Sequence, residues 1–486
     1  MLTLHEVIAA TGGRLQGATA ELAGRRPFAG VVVDSRQVRP GVLFVALRGQ
    51  KHDGHAFVAP ALANGAAAAL VEEVPADCAW ALEPDAAGPP RVVGPYADTG
   101  GPALVVVPHT PAALAAMARF ALDQHPGLEV VGITGSLGKT TTKEVVAGVL
   151  QSKRRVLKSE GNLNSEIGLP LTVLNGLGTG PVDIAVLEMA MYALGDVRFL
   201  ARLARPRVGV VTAVLPVHLE RLGTIERIAQ AKQELVEELP ADGTAVLNAD
   251  DPRVDRMAQA TPARVVRYGV SEHADVRAEH IVSQGLRGVE FDLLHAGQRQ
   301  HVHLPLLGAQ SVHAALAAVA VALDEGFSTS AEAAAALQRV TPALRLLVID
   351  GINGSRVIDD SYNASPESVL AALNLLRELP GQRKVAVLGD MLELGSEEQP
   401  GHRRVGNRAA AVVDLLVVYG PRSRTTADEA RHAGLAAERV YEAETHEEIV
   451  ERLRRWLRPG DDVLVKGSLA MGMDAVVRGI RAKGED

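Results

Sequence analysis

The chain has 486 residues, 47% of them apolar, with a formal net charge of −8 and a pI near 6.0. That length sets a prior of about three domains and lets the chain bury several cores. The acidic balance argues against nucleic acid as the main partner. The single cysteine, Cys78, excludes an intramolecular disulfide and fits a reducing compartment. There is no run of about 18 charge-free apolar residues, and the opening MLTLHEVIAATGG lacks the basic flank and apolar core of a signal peptide. The expectation is a cytoplasmic protein without membrane insertion.

Residues 1–108 open with a short helix pattern, then strand-like runs at Gly30–Val33 and Val42–Leu47. An Ala-rich helix near Phe57–Gly65 and strands at Ala67–Val71 and Ala103–Val107 follow, with a Pro/Gly/Asp-rich loop over Pro75–Gly101. Residues 109–341 alternate strands (Val130–Ile133, Val182–Leu187, Val208–Thr212, Ala245–Leu247) with helices (Lys139–Leu150, Asp196–Leu203, Ile225–Glu238, Pro252–Ala258). Such alternation predicts a parallel sheet covered by helices. Residues 275–305 read as shorter antiparallel runs, and Ser311–Asp324 as an Ala-rich helix. Residues 342–486 alternate again, with strands at Val357–Asp359, Val385–Leu388, Leu415–Val418 and Val463–Val465, and predict a smaller doubly wound sheet. The fold class is α/β in three domains: a small N-terminal α/β substrate domain, a central P-loop ATPase domain and a C-terminal Rossmann-like domain.

The most informative stretch is VVGITGSLGKTTTKE, Val130–Glu144: a buried strand, a glycine turn and a helix start. Gly135 and Gly138 permit the tight turn, so backbone N–H groups of Ser136 and its neighbours can face an anion. Lys139 adds a mobile cation, Thr140 a hydroxyl suited to magnesium, and Thr141 continues the helix start. Ile133 stands where the general phosphate-loop motif has glycine, so the pattern is the narrower T-G-x-x-G-K-T-T.

Other polar clusters follow strands, where ligands of such sheets collect. Glu188 closes IAVLE and reads equally as a magnesium ligand or a solvated cap. His218 follows VTAVLPV; a lone histidine is more often structural. Lys232 lies on a helix and reads by itself as a solvated lysine. In DDSYNASP, Asp359–Pro366, Ser365 caps the next helix with Pro366 in its first position. That leaves Asp360, Tyr362 and Asn363 as site candidates. Gly389–Gly395, GDMLELG, reads as a turn. Lys466 precedes Gly467 and Ser468 and can meet a carboxylate or phosphate. Asp34-Ser35-Arg36 and the GQKHDGH run with Asp53 and His55 are weak phosphate-site candidates that read equally as turns.

Together these residues resemble the Mur ligases, ATP-dependent amide-bond ligases of bacterial cell-wall synthesis, across nearly the whole chain. DDSYNASPES (359–368), LGDMLELG (388–395), GNLNSEIGLP (161–170) and DSRQVRPGVLFVALRGQKHDGH (34–55) are similar to the member that adds a dipeptide rather than to siblings that add single amino acids. The resemblance implies a monomeric enzyme whose substrates are UDP-MurNAc-tripeptide, D-alanyl-D-alanine and ATP, working through an acyl phosphate. It implies that Thr140, Glu188 and His218 hold magnesium, with two ions and a carbamylated Lys232. Asp34, Ser35, Arg36, Asp53 and His55 fall at the UDP end, Asn162 and Asn164 in the substrate loop, and Asp360, Tyr362, Asn363 and Lys466 across the cleft. Four positions depart from the family pattern. Thr-Asn-x-Gly-x-x-His becomes Thr212-Ala213-Val214-Leu215-Pro216-Val217-His218. Gly-Arg becomes Leu344-Arg345, with Arg345 kept as the phosphate-contacting arginine. His-Asn becomes Gln310-Ser311, with Gln310 kept at the nucleotide, and Leu469 replaces an arginine. Two alternatives stay open: another Mur-type amino-acid ligase, or a nucleotide-binding homologue with impaired catalysis.

Overall fold

The computed structural model describes residues 1–16, 27–49, 52–81, 102–327, 329–340 and 347–482. Most of the loop expected over Pro75–Gly101 and the Leu344-Arg345 pair lie outside the described residues. The chain divides into two compact units, Met1–Gly132 with Lys153–Ala190 and Asp196–Arg207, and Ile133–Ser152 with Met191–Gly195 and Val208–Asp486.

The first unit contains a five-stranded sheet in the order Arg14–Gln16, Ala103–Val106, Ala68–Val71, Leu43–Val45, Val31–Val32. The last four strands are parallel and read as continuous apolar runs, as strands covered on both faces do. The first strand, charged and only three residues long, pairs antiparallel at the edge and carries no apolar pattern that would have revealed it. At the opposite edge the Asn175 amide acts as a strand partner: its Oδ1 accepts from Val31 N at 2.8 Å and its Nδ2 donates to Val31 O at 2.9 Å. Phe44, Leu62, Val71 and Leu104 fill the core under the helix Val58–Ala63, together with the unpaired Cys78. Burial pushes the Cys78 thiol up to about 11, so it packs as a small hydrophobe. The helices Thr110–Asp123 and Gly168–Leu177 escape the sequence reading because long Ala- and Leu-rich runs hide their period.

In the second unit Val208–Val211, Thr244–Asn248 and Arg264–Gly269 are parallel neighbours. Val276–Ser283 joins them in parallel, and Val289–His295 and Gln298–Leu304 extend the sheet antiparallel, as expected for residues 275–305. The helix Ser311–Asp324 is apolar nearly all round. It is accordingly buried, packed on the helix Lys139–Leu150 and on the strands Thr244–Asn248 and Arg264–Gly269. A second sheet runs Leu347–Asp350, Arg356–Asp360, Asp461–Lys466, Arg383–Gly389, Leu415–Tyr419, Val440–Ala443. All its pairs are parallel except the outer Leu347–Asp350. Separate apolar clusters around Leu373 and Leu416 and around Ile449 and Val463 cover its two faces, the doubly wound arrangement.

That sheet contains a buried charge network. Asp462, fully buried, accepts from Arg356 Nε at 2.8 Å, Lys384 Nζ at 2.6 Å and Gly381 N at 2.8 Å. Removing a buried partner leaves the other charges uncompensated. Asp462→Ala should therefore destabilise the chain by roughly 3–5 kcal/mol, read as a lower urea midpoint. An unchanged midpoint would show the network to be solvated.

Candidate active site

The glycine loop forms where the strand Glu129–Thr134 ends and the helix Lys139–Leu150 begins, with Gly138 as N-cap at φ +82. Gly135 sits at φ +149, and a Cβ there would stand 1.8 Å from Thr212 Oγ1, so both backbone angle and space demand glycine. The neighbouring strand end clamps the loop. Thr212 Oγ1 donates to Leu137 O at 2.6 Å, Ser136 N donates to Ala213 O at 2.7 Å, and Leu215 N donates to Ser136 Oγ at 2.9 Å. Lys139 Nζ donates to Gly135 O at 2.8 Å, which folds the cation back over the loop. Thr140 and Thr141 follow in the first helical turn beside it.

The substituted residues Ala213 and Leu215 hold the loop through backbone atoms, so the departure from the family pattern keeps the clamp. Val214 N is fixed by Asp251 Oδ2 at 2.7 Å. His218 then takes φ +60 as the N-cap of the short helix Leu219–Leu222. Its Nδ1 meets Glu393, which also accepts from Arg221 at 3.1 Å. The Arg221 guanidinium lies 4.6 Å from the Tyr192 ring centre, and Tyr192 packs edge-on to the His218 ring. Burial lowers the His218 pKa, and the Glu393 carboxylate partly offsets it. Glu393, at φ +63, belongs to the stretch that reads as a turn, and a 3₁₀ turn does follow at Gly395–Glu397.

Lys232 is 2% exposed on the helix Ile225–Glu237, which corrects the reading of a solvated lysine. Burial drives its pKa well below the ordinary lysine value, and the Lys139 charge adds to that.

The other sheet of this unit brings its strand ends to the same cavity. Asp360 and Lys466 are directly paired residues of adjacent parallel strands; Lys466 Nζ lies 2.7 Å from Asp360 Oδ2 and donates to Asn363 O at 2.7 Å. Ser365 is the expected N-cap of the helix Pro366–Glu378, and with Ser368 it forms a capping box. Ser468 Oγ ties this loop to the next, accepting from Leu392 N at 2.9 Å. Lys139, Thr140, His218, Gln310, Asp360, Tyr362, Asn363 and Lys466 line one cavity of about 1070 Å³. Leu469 also lines it and is 58% exposed.

In the first unit, Glu188 ends the strand Ile184–Glu188 at 1% exposure, and its Oε1 accepts from Asn164 Nδ2 at 2.8 Å. Asn162 precedes it on an exposed turn, with Asn164 N donating to Asn162 O at 2.8 Å. Asp34 caps the 3₁₀ turn Ser35–Gln37 and pairs with Arg36, which holds its carboxyl at about 2. Asp53 accepts from His55 N at 3.0 Å and meets His55 Nδ1 at 2.6 Å, while His55 Nε2 accepts from Glu72 N at 2.9 Å. Both nitrogens of buried His55 are thus committed to the loop, and it shapes that loop rather than offering a ligand contact.

Sequence reasoning missed Glu393, Tyr192, Asn248, Tyr268 and His313 as cavity residues; only Glu393 stood within a motif. The fold and the site define a Mur ligase. Family profiles match at residues 27–121 (Mur ligase family, catalytic domain), 133–322 (Mur ligase middle domain) and 344–469 (Mur ligase, glutamate ligase domain). The chain belongs to the Mur ligase family. It is 38% identical to UDP-N-acetylmuramoyl-tripeptide–D-alanyl-D-alanine ligase of Mycobacterium tuberculosis, over 98% of this chain and 96% of that one. It is 34% identical to the ligase of the same name from Bacillus subtilis, over 92% of each. MurF from Acinetobacter baumannii superposes with a TM-score of 0.82 at 27% identity and 98% coverage of both chains. MurF from Thermotoga maritima in complex with ADP does so at 0.74 and 29%, covering 93% of this chain and 96% of that one.

Gly135→Ala should add roughly 1–3 kcal/mol of local strain and displace Thr212, lowering ADP affinity about tenfold or more in calorimetry. Wild-type affinity in that variant would show that the loop does not hold the phosphates.

Proposed function

We propose that this protein joins the terminal carboxylate of UDP-MurNAc-tripeptide to the amino group of D-alanyl-D-alanine, using ATP, in peptidoglycan precursor synthesis. One observation carries the reading: the glycine loop with Lys139 and the Asp360–Lys466 strand ends line a single cavity. The relatives named D-alanyl-D-alanine ligase along their whole length support the substrate assignment.

The substrate carboxylate attacks the γ-phosphorus of ATP; ADP leaves and an acyl phosphate forms. The dipeptide amine attacks the acyl carbon, the amide bond forms, and phosphate leaves with loss of the amine proton. Lys139 and the loop N–H groups offset negative charge on the transferring phosphoryl group. Arg345 is the proposed second phosphate-contacting cation. By the family resemblance Thr140, Glu188 and His218 would hold magnesium, a hard cation that takes few protein ligands and keeps water and phosphate oxygens. Burial and the Lys139 charge depress the Lys232 pKa and favour its neutral amine, the form that adds carbon dioxide. N–C bond formation would release a proton and leave a carbamate whose oxygens would be available to a second ion.

The nucleotide is assigned to Gly135, Ser136, Gly138, Lys139, Thr140, Thr141, Gln310, Asp360, Tyr362 and Asn363. The UDP-peptide is assigned to Asp34, Ser35, Arg36, Asp53, Asn162, Asn164 and Lys466, with His55 supporting the loop. The division at 1–108, 109–341 and 342–486, a monomeric state and a cytoplasmic site of action belong to the same proposal. Among the described residues no helix is long and apolar enough to cross a membrane.

Phosphate release from ATP with UDP-MurNAc-tripeptide should require D-alanyl-D-alanine. Release with D-alanine or D-glutamate alone would move the protein to a sibling activity. No release in any combination, with ADP binding intact, would establish a homologue with impaired catalysis. Lys232→Ala should lose most activity and regain part of it with a short-chain carboxylic acid. Full activity without the acid would remove the carbamate from the mechanism.

A further inference from the structure

The cavity wall away from the glycine loop carries a histidine–carboxylate hydrogen bond that amide-bond formation does not use. His313 lies in the first turn of Ser311–Asp324, lines the cavity, and has Nε2 2.8 Å from Asp250 Oδ2. Asp250 is itself fixed, since Val270 N and Ser271 N each donate to it at 2.8 Å. Gly269 makes room for it: a Cβ there, at φ +155, would stand 2.6 Å from Oδ2. Burial raises the Asp250 pKa, but the His313 bond and the two N–H donors outweigh it, so the group stays ionised.

An ionised carboxylate only accepts hydrogen bonds, so Nε2 carries the proton. In the neutral ring, Nδ1 is then an acceptor held in a set orientation. No partner for Nδ1 occurs among the described residues.

The pair lies where a purine would arrive. Thr134 bonds to Thr212 beyond the end of Val208–Val211, and the next strands are Thr244–Asn248 and Arg264–Gly269. Three strand spacings put Tyr268 about 14 Å along the sheet from the strand that feeds the glycine loop. An extended nucleoside triphosphate with its phosphates on that loop spans this distance. Leu306 and Ala314, both nearly buried, border the same cavity as His313 and offer apolar surface for a ring. Gln310 is folded over Gly308, its side-chain tip within 2.5 Å of where a Gly308 Cβ would be.

We propose that His313, oriented by Asp250, is a specificity-determining residue that accepts a hydrogen bond from the 6-amino group of adenine and selects ATP over 6-oxo purine nucleotides. A 6-oxo group would face Nδ1 acceptor to acceptor and leave it unpaired, which a polar site rejects. The inference rests on the nucleotide half of the proposed function.

Its test is calorimetry on the full chain with ADP, inosine diphosphate and purine riboside diphosphate, which carries hydrogen at position 6. Wild type should bind ADP about tenfold tighter than either analogue, as one buried hydrogen bond implies. His313→Ala should lose that preference while its affinity for purine riboside diphosphate stays unchanged. His313→Gln, which retains an acceptor, should keep part of it. Equal weakening of ADP and purine riboside diphosphate in His313→Ala would make His313 structural and overturn the inference, as would an intact preference. Should His313→Ala not fold, wild type binding ADP no tighter than purine riboside diphosphate overturns it equally. No peptide substrate is used, so missing D-alanyl-D-alanine dependence in the phosphate assay would sink the ligase reading and leave this result standing.

Discussion

The glycine loop depends on one close approach, that of Thr212 to Gly135. No side chain fits between them. The strand Val208–Val211 therefore delivers its end directly onto the glycine loop, and Thr212, Ala213 and Leu215 fix the loop's shape through a hydroxyl and two backbone groups. A loop held this way keeps its N–H groups oriented before any phosphate arrives, which is what electrostatic preorganisation requires. The same contact is kept in the changed sequence from Thr212 to His218. Its clamp uses the threonine hydroxyl and peptide groups, which Ala213 and Leu215 supply as well as other residues would.

The second constraint is burial of charge. Lys232 on its helix and Lys466 at a strand end are each 2% exposed, but they meet burial differently. Lys466 has Asp360 and the Asn363 carbonyl as partners and serves as a fixed cation joining two strand ends. Lys232 instead has its ammonium form disfavoured by burial and by Lys139. A lysine in that position is suited to reaction at nitrogen, and a paired lysine is not.

Elements whose pattern is local were legible in the sequence. Ser311–Asp324, the Ser365 cap with Pro366, and the glycine loop each rest on residues within one turn or one loop, and all three stand where the pattern put them. The strand Arg14–Gln16 was not legible, because its pairing with Ala103–Val106 is a long-range fact with no local hydrophobic signal. Lys232 reads as solvent-exposed on any local criterion; only packing buries it. Glu393 reads as part of a turn, and it is one, but the turn also aims its carboxylate at His218 and Arg221, more than 170 positions away in sequence.

His313 shows the same limit from the other side. In sequence it is a histidine in an Ala-rich helix, and the Gln310-Ser311 departure beside it suggests only that something at the nucleotide site has been lost. Structure changes that inference. Ser311 Oγ turns back to Gly308 O at 2.7 Å and Gln310 folds over the same glycine, so both substituted residues serve the helix start. His313, three residues beyond Gln310 and on the same face by helical spacing, lines the cavity as well. Its orientation comes from Asp250, at the end of a different strand. On the proposed role of His313, recognition moves along the helix face to where a neighbouring loop supplies the carboxylate that orients the ring, and neither half of that pairing is visible until the strand and the helix are packed together.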